Sequence, residues 1–261
     1  MKTDLQGRHA LVCGGSEGIG RAAAIALATR GATITLLARR ADRLDAVRAT
    51  LPSPLQQMHG TLSADVSDLT ALRAKIGALC AAQPVHVLVN NTAGPPGGAA
   101  HAATPEQYLA VFQQHLLSNQ VLLQAVLPGM QAAHWGRIVN VISTSVKEPI
   151  ANLGVSNTIR GAVASWAKTL ATELGPSGIT VNNVLPGYTQ TQRLQQILAE
   201  RAAATGKPAS DIAQGMLATV PAGRFAEPEE IAAAIVFLCS PDAGYVNGIN
   251  LPVDGGRTKS L

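Results

Sequence analysis

The chain has 261 residues, of which 47% are hydrophobic, 14% charged and only 3% aromatic, and its net charge is +4. That length buries a sizeable core, and so few aromatic residues suit helices packed closely on a sheet better than surfaces for stacking bases. The cations are scattered without a dense basic run, so a local anion site accounts for the excess better than nucleic acid does.

From the N-terminus, MKTDLQGRHALVCGG passes from a polar start into a short apolar strand without the apolar stretch of a signal peptide. No apolar run reaches the roughly 18 residues that cross a bilayer. The expectation is a cytoplasmic protein that engages neither membrane nor nucleic acid. Cys13, Cys80 and Cys239 are widely spaced inside apolar segments and read as buried free thiols; no metal-ligand spacing appears.

The predicted strands, in chain order, are HALVC from His9, TITLLA from Thr33, a weaker one near QQMHGTL, PVHVLVN from Pro84, GRIVNVI from Gly136, ITVNNVL from Ile179 and GINLPV from Gly248. Helices begin near Gly18, Ala41, Ser67, Pro105, Asn152 and Pro228, with stop signals such as Gly31 and Gly178. Repeated β-α-β units of this kind make an α/β fold with a doubly wound parallel sheet of about seven strands, helices on both faces, in one domain. Two segments break the rhythm. TAGPPGGAAHAATP, from Thr92 to Pro105, follows a strand and reads as a loop lining the site. A helical insertion at about 189–222 reads either as a lid over a substrate or as an oligomer contact.

Cys13-Gly14-Gly15-Ser16-Glu17-Gly18-Ile19-Gly20 follows the first strand and opens the first helix. Gly14 permits the tight turn, Gly18 lets backbone amides approach a pyrophosphate, and Gly20 lets the helix pack on the strand. After the second strand, Arg39 and Arg40 stand where an acid would bind the ribose 2′-hydroxyl of NAD(H), and they suit a 2′-phosphate, which favours NADP(H).

These glycines, together with Asp65-Val66, Asn90-Asn91, Pro186-Gly187 and Asp254-Gly255-Gly256, resemble the short-chain dehydrogenase/reductase family over nearly the whole chain. Its 3-oxoacyl-carrier-protein-reductase-like members look nearest. The resemblance implies a Rossmann fold, and it places Asp65 at the adenine and Asn90 at the adenine ribose region. It puts Thr189 and Thr191 beside the nicotinamide carboxamide and phosphates, and it implies a homotetramer or homodimer. One loop departs from the family pattern, reading Asn90-Asn91-Thr92-Ala93-Gly94 in place of Asn-Asn-Ala-Gly.

The family also uses a serine and a Tyr-x-x-x-Lys pair, with an asparagine on the preceding helix. Alignment puts Ser143 at the serine, Ser156 at the tyrosine, Arg160 at the lysine and His115 at the asparagine, so three of four groups are replaced. Ser156 and Arg160, four apart on a helix, share a face. Arg160 is a plausible ligand of the nicotinamide ribose but stays protonated, and a serine without an adjacent base is a poor acid. Losing a positioned acid costs about 10²–10⁴ in rate. Lys147, in the loop leaving the fifth strand, and His115 are the candidates to manage the proton, while Tyr188 and His101 are candidate substrate contacts. The sequence thus points to an oxidoreductase acting on a carbonyl/secondary-alcohol pair of a small molecule. Two alternatives stand beside it: a nucleotide-binding regulatory or scaffold protein without turnover, and a non-redox lyase or isomerase.

Overall fold

A computed structural model describes residues 3–260. Seven strands, β1 (His9–Cys13), β2 (Thr33–Ala38), β3 (Gly60–Ser63), β4 (Val87–Asn90), β5 (Gly136–Val141), β6 (Ile179–Pro186) and β7 (Asn250–Val253), stand where the sequence puts them. They form one sheet in the order β3-β2-β1-β4-β5-β6-β7, with every pairing parallel. The winding direction reverses between β1 and β4, and a crevice for a ligand opens at the carboxyl ends of these strands.

The helices are α1 (Gly18–Thr29), α2 (Ala41–Arg48), α3 (Leu69–Ala82), α4 (Pro105–Phe112), α5 (Ser118–Ala132), α6 (Gly154–Leu174), α7 (Gln192–Thr205), α8 (Ala209–Leu217) and α9 (Pro228–Cys239). One face of the sheet is covered by α1, α2 and α9, which contribute Leu27, Leu44 and Ile235 to a core shared with Val12 and Val139. The other face is covered by α3, α5 and α6 through Leu72, Val126 and Leu170, packed on Leu88 and Ile138. With both faces covered, β1 and β5 are buried along their whole length, which is why their apolar residues fall on both faces rather than alternating with solvated ones.

Two expectations need correction. The helix expected from Pro105 is interrupted by a π-helical turn, Gln113–Leu117, between α4 and α5. An extra residue in the turn re-aims the side chains around it, and π-bulges of this kind gather at functional sites. Of the three cysteines, Cys13 and Cys239 are buried and burial pushes their thiols up to about 12, but Cys80 is only partly buried. It lies in the last turn of α3, whose buried residues, Leu72 and Ile76, end a turn earlier.

A row of amides crosses the sheet interior. Asn90 donates to Asn140 Oδ1 at 2.8 Å, Asn140 to Asn183 Oδ1 at 2.9 Å, and Asn183 to Asn250 Oδ1 at 2.8 Å. All four residues are Cα partners across β4, β5, β6 and β7. Among the described residues no helix is long and apolar enough to cross a membrane.

Candidate nucleotide site and active site

Gly14, Gly18 and Gly20 shape the turn between β1 and α1. Gly14 (φ +61°) and Gly18 (φ +53°) adopt the left-handed conformation that side chains resist, and a Cβ on Gly14 would lie 2.6 Å from both the amide nitrogen and the carbonyl oxygen of Asn91. A Cβ on Gly20 would strike the carbonyl group of Gly14, its carbon at 2.7 Å. The helix that follows has Glu17 at its N-cap without a side-chain hydrogen bond, so the amides of its first turn stay available to an anion. Glu17 itself pairs with Arg43 at 2.9 Å, which offsets its charge beside that anion site. Ser16 and Ile19 complete the turn. This cradle, closed to side chains and open at its amides, fits a pyrophosphate.

Arg39 and Arg40 are exposed at the end of β2, and neither makes an ion pair among the described residues. Asp65 is exposed past β3, where one oxygen accepts from the Ser67 amide at 2.8 Å, with Val66 beside it packed on the core. Asn90 is buried at the head of the amide row, and its Oδ1 has no hydrogen-bond partner. Past β6, Pro186 and Gly187 lead into Thr189, whose hydroxyl donates to the Gly187 carbonyl at 3.1 Å. Thr191 caps α7 by accepting from the Leu194 amide, and its methyl would lie 3.2 Å from a Cβ on Gly18. The β6 loop therefore meets the glycine turn across the crevice.

The candidate catalytic residues gather on the same edge. Ser143, half-buried with extended backbone, starts a short 3-10 turn and its Oγ accepts from the Ser145 amide at 3.1 Å. Lys147 closes that turn, half-buried. Ser156 and Arg160 are both buried on α6, and Arg160 Nη1 donates to the carbonyl of Val141, the last residue of β5, at 2.8 Å. Burial pushes the Arg160 guanidinium down to about 10, and no carboxylate pairs with it among the described residues. The π-helical turn aims His115 inward, where its Nδ1 shares a 2.5 Å hydrogen bond with the Thr92 hydroxyl while its Nε2 has no partner. Burial first, and Arg160 second, push this imidazole down to about 3, so it is uncharged at neutral pH.

The loop of residues 92–105 is stitched to the start of α6 through Gly98, which donates to the Asn152 carbonyl at 2.7 Å and accepts from the Gly154 amide at 2.9 Å. It therefore borders the site, with His101 exposed on a short 3-10 turn. The insertion at about 189–222 folds as α7 and α8 around Leu194, Leu198 and Met216, with Tyr188 and Phe225 against them. Arg193 of α7 donates to the Pro95 carbonyl at 3.1 Å and so joins the insertion to that loop. Tyr188 packs edge-on against Phe225, which makes it part of the insertion's small core.

A family model described as enoyl-(acyl carrier protein) reductase matches residues 14–258. A 3-oxoacyl-[acyl-carrier-protein] reductase of Vibrio harveyi is 33% identical, over 97% of this chain and 98% of its own. The chain belongs to the short-chain dehydrogenase/reductase family. It is of the 3-oxoacyl-carrier-protein-reductase type. An acetoacetyl-CoA reductase of Shinella zoogloeoides is 32% identical over 96% of this chain and 98% of its own. Among solved structures of the family, the L-sorbose reductase of Gluconobacter frateurii, complexed with NADPH and L-sorbose, superposes with a TM-score of 0.93 at 30% identity over all of both chains.

Within this short-chain dehydrogenase/reductase, three residues that the alignment singled out are spatially linked. Thr92, which alters the family's loop, holds His115, and His115 lies in the field of Arg160. The linkage has a measurable consequence. Because the folded imidazole refuses a proton that the unfolded chain accepts near pH 6.5, stability falls as pH drops from about 6.5 towards 3. His115→Asn is expected to reduce this slope by up to about 1.4 kcal/mol per pH unit, the limit for one site. His9 and His86, also lowered chiefly by burial, keep the remainder. Melting temperatures from pH 4.5 to 8 check this; parallel curves for the two proteins would refute it.

The sequence did not place the residues after Gly256 beside the Ser143 turn. Lys259 and Ser260 donate their backbone amides to Glu148 at 2.6 and 2.7 Å, and Arg257 donates to the Thr144 hydroxyl at 3.3 Å. The tail therefore lies on the loop that begins at Ser143. Its one sequence signal is a cation directly after Asp254-Gly255-Gly256.

Proposed function

We propose that the chain is an NADP(H)-dependent oxidoreductase that interconverts a carbonyl and a secondary alcohol on a small molecule. In this reading residues 1–261 act as one cofactor-binding domain with a lid at about 189–222, in the cytoplasm, as a homotetramer or homodimer. The observation that carries it is Arg160. A buried cation without a carboxylate partner among the described residues is costly to the fold, and this one is held by the carbonyl of Val141, the last residue of the strand that delivers Ser143.

The glycine turn and the first amides of α1 hold the pyrophosphate, with Asp65, Asn90 and Asn91 along the adenosine and Thr189 and Thr191 along the nicotinamide half. Arg39 and Arg40 hold the 2′-phosphate. Arg160 and Ser156 order the nicotinamide ribose. The bound nicotinamide supplies or accepts the hydride. Ser143 donates a hydrogen bond to the substrate oxygen, and Lys147, a cation in the same loop, delivers the proton that the missing tyrosine does not. His115, being uncharged, orients Thr92 rather than supplying that proton.

Binding titrations with NADPH and NADH test the cofactor half of the reading. The unaltered protein should prefer NADPH, and an Arg39→Ser, Arg40→Ser double variant should lose about 10- to 100-fold in NADPH affinity while NADH binding barely moves. Equal affinities in the unaltered protein would sink the NADP(H) assignment. One observation favours a second reading, nucleotide binding without turnover: neither Ser156 nor the low-titrating His115 is a proton source near neutrality. Tight NADPH binding with no hydride transfer to a panel of ketones and 3-oxoacyl thioesters would give that reading the lead.

A further inference from the structure

Six buried side-chain atoms lack a hydrogen-bond partner among the described residues, and three of them, Ser145 Oγ, Arg257 Nε and Thr258 Oγ1, belong to the C-terminal tail or to the Ser143 turn that Arg257 reaches. Orphaned polar atoms in the interior are rare, and they mark places where a water or a ligand completes the bonding. Ser145 is 3% exposed, so its hydroxyl is well removed from bulk water.

The Arg257 guanidinium lies 4.7 Å from the Tyr188 ring centroid, stacked over its face, while Nη1 donates to the Thr144 hydroxyl. Two contacts from two different loops fix its plane. Its charge is nevertheless unmatched. No carboxylate pairs with it among the described residues, and the two acids of the surrounding segments accept from backbone amides instead. Asp254 accepts from Gly256 and Thr258 at 3.0 and 2.8 Å, and Glu148 accepts from Lys259 and Ser260. Gly255 and Gly256, at φ +65° and +84°, make the turn that brings the arginine to Thr144 and Tyr188, and a Cβ on Gly255 would strike Val220 at 2.9 Å. The tail is thus built to hold one cation in one place.

That place borders the turn that carries Ser143, because Thr144 accepts from Arg257 Nη1. Thr144 follows Ser143 directly, about 3.8 Å away along the backbone. A planar guanidinium with an unused N–H is suited to a carboxylate, which it can engage with two parallel hydrogen bonds.

We propose that Arg257 is the specificity-determining residue for a substrate that carries a carboxylate a few bonds from its carbonyl carbon, an oxo acid or the corresponding hydroxy acid. This rests on the oxidoreductase reading above. Arg257 holds the carboxylate, Ser143 holds the carbonyl oxygen, and the buried hydroxyls of Ser145 and Thr258 support the anchored group or a water bound to it.

The test uses acetoacetate and its uncharged methyl ester as probes, with the full chain loaded with NADP⁺ for binding and NADPH for turnover. Acetoacetate should bind about 10- to 100-fold more tightly than the ester. Arg257→Gln should erase that preference through acetoacetate alone, leaving ester binding and NADPH affinity unchanged. Arg257→Lys, which keeps the charge but loses the fork, should restore part of the preference and guards against a mere folding defect. Turnover should show the effect in KM rather than kcat. Equal binding of the two probes to the unaltered protein, or a preference that survives Arg257→Gln, overturns the proposal. Loss of NADPH binding in the unaltered protein would instead strike the oxidoreductase reading, because the probe preference is read without turnover.

Discussion

Arg160→Met is expected to make the cofactor-free protein more stable and the enzyme inactive. The side chain is 7% exposed, lacks a carboxylate partner among the described residues, and is pushed down to about 10 by burial alone. From an ordinary value of 12.5 that displacement corresponds to roughly 3 kcal/mol against the charged form. Methionine fills similar volume without the charge, but it leaves the Val141 carbonyl without its 2.8 Å donor, which offsets about 1 kcal/mol. A net gain of about 1–3 kcal/mol remains, or several degrees in melting temperature for a chain of this size. The sign with pH is definite. Folded and unfolded chains both keep the guanidinium protonated below about pH 10, so the gain should be constant between pH 5 and 9. Turnover should fall by about 10²-fold or more, the scale of removing a preorganised charge from a site of this kind. A variant that melts lower than the parent at every pH would show that Arg160 stabilises the fold, and its role as cofactor ligand would lose its physical basis.

Gly20→Ala should be as damaging as Gly77→Ala is harmless. The new methyl at residue 20 would collide with the Gly14 carbonyl and lie 2.8 Å from the Asn91 amide nitrogen, and two of these obstacles are backbone atoms that cannot rotate away. Overpacking of this kind costs about 1–3 kcal/mol or more, and relief requires α1 to move off β1, which also moves the amides that receive the pyrophosphate. NADPH affinity is expected to drop by at least about 100-fold, together with the melting temperature. Gly77 is exposed in the middle of α3, where an added methyl would meet nothing within 4 Å, and alanine there should stabilise by roughly 0.5–1 kcal/mol through the unfolded chain. Differential scanning fluorimetry with and without NADPH separates the two. Equal NADPH shifts in both variants would mean that the glycine turn does not shape the phosphate site.

The inner strands were legible because burial on both faces fills them largely with apolar residues, and the glycine turn because glycines at these spacings between a strand and a helix have one steric use. The π-helical turn was not legible. QQHLL in a helical stretch carries no mark of an extra residue, so the inward aim of His115 and its bond to Thr92 emerge only from three-dimensional placement. Arg257 escaped for a different reason. Its neighbours, Thr144 and Tyr188, are 113 and 69 positions away in the chain, and no local pattern encodes such a meeting. The proton donor is intermediate: the alignment named His115 and Lys147 as candidates, and the structure adds that burial holds the His115 imidazole uncharged near neutrality while Lys147 closes the turn that starts at Ser143.

The row of asparagines from β4 to β7 has a consequence for the alignment of the sheet. Strands about 4.8 Å apart give the row a span of roughly 14 Å, from the strand that leads into the nucleotide loop to the edge strand β7. A slip of one residue in any of the four strands would turn an amide to the opposite face and break its bonds, so the sheet has one permitted alignment. The position of the nucleotide loop is thereby tied, amide by amide, to a strand at the far edge of the sheet.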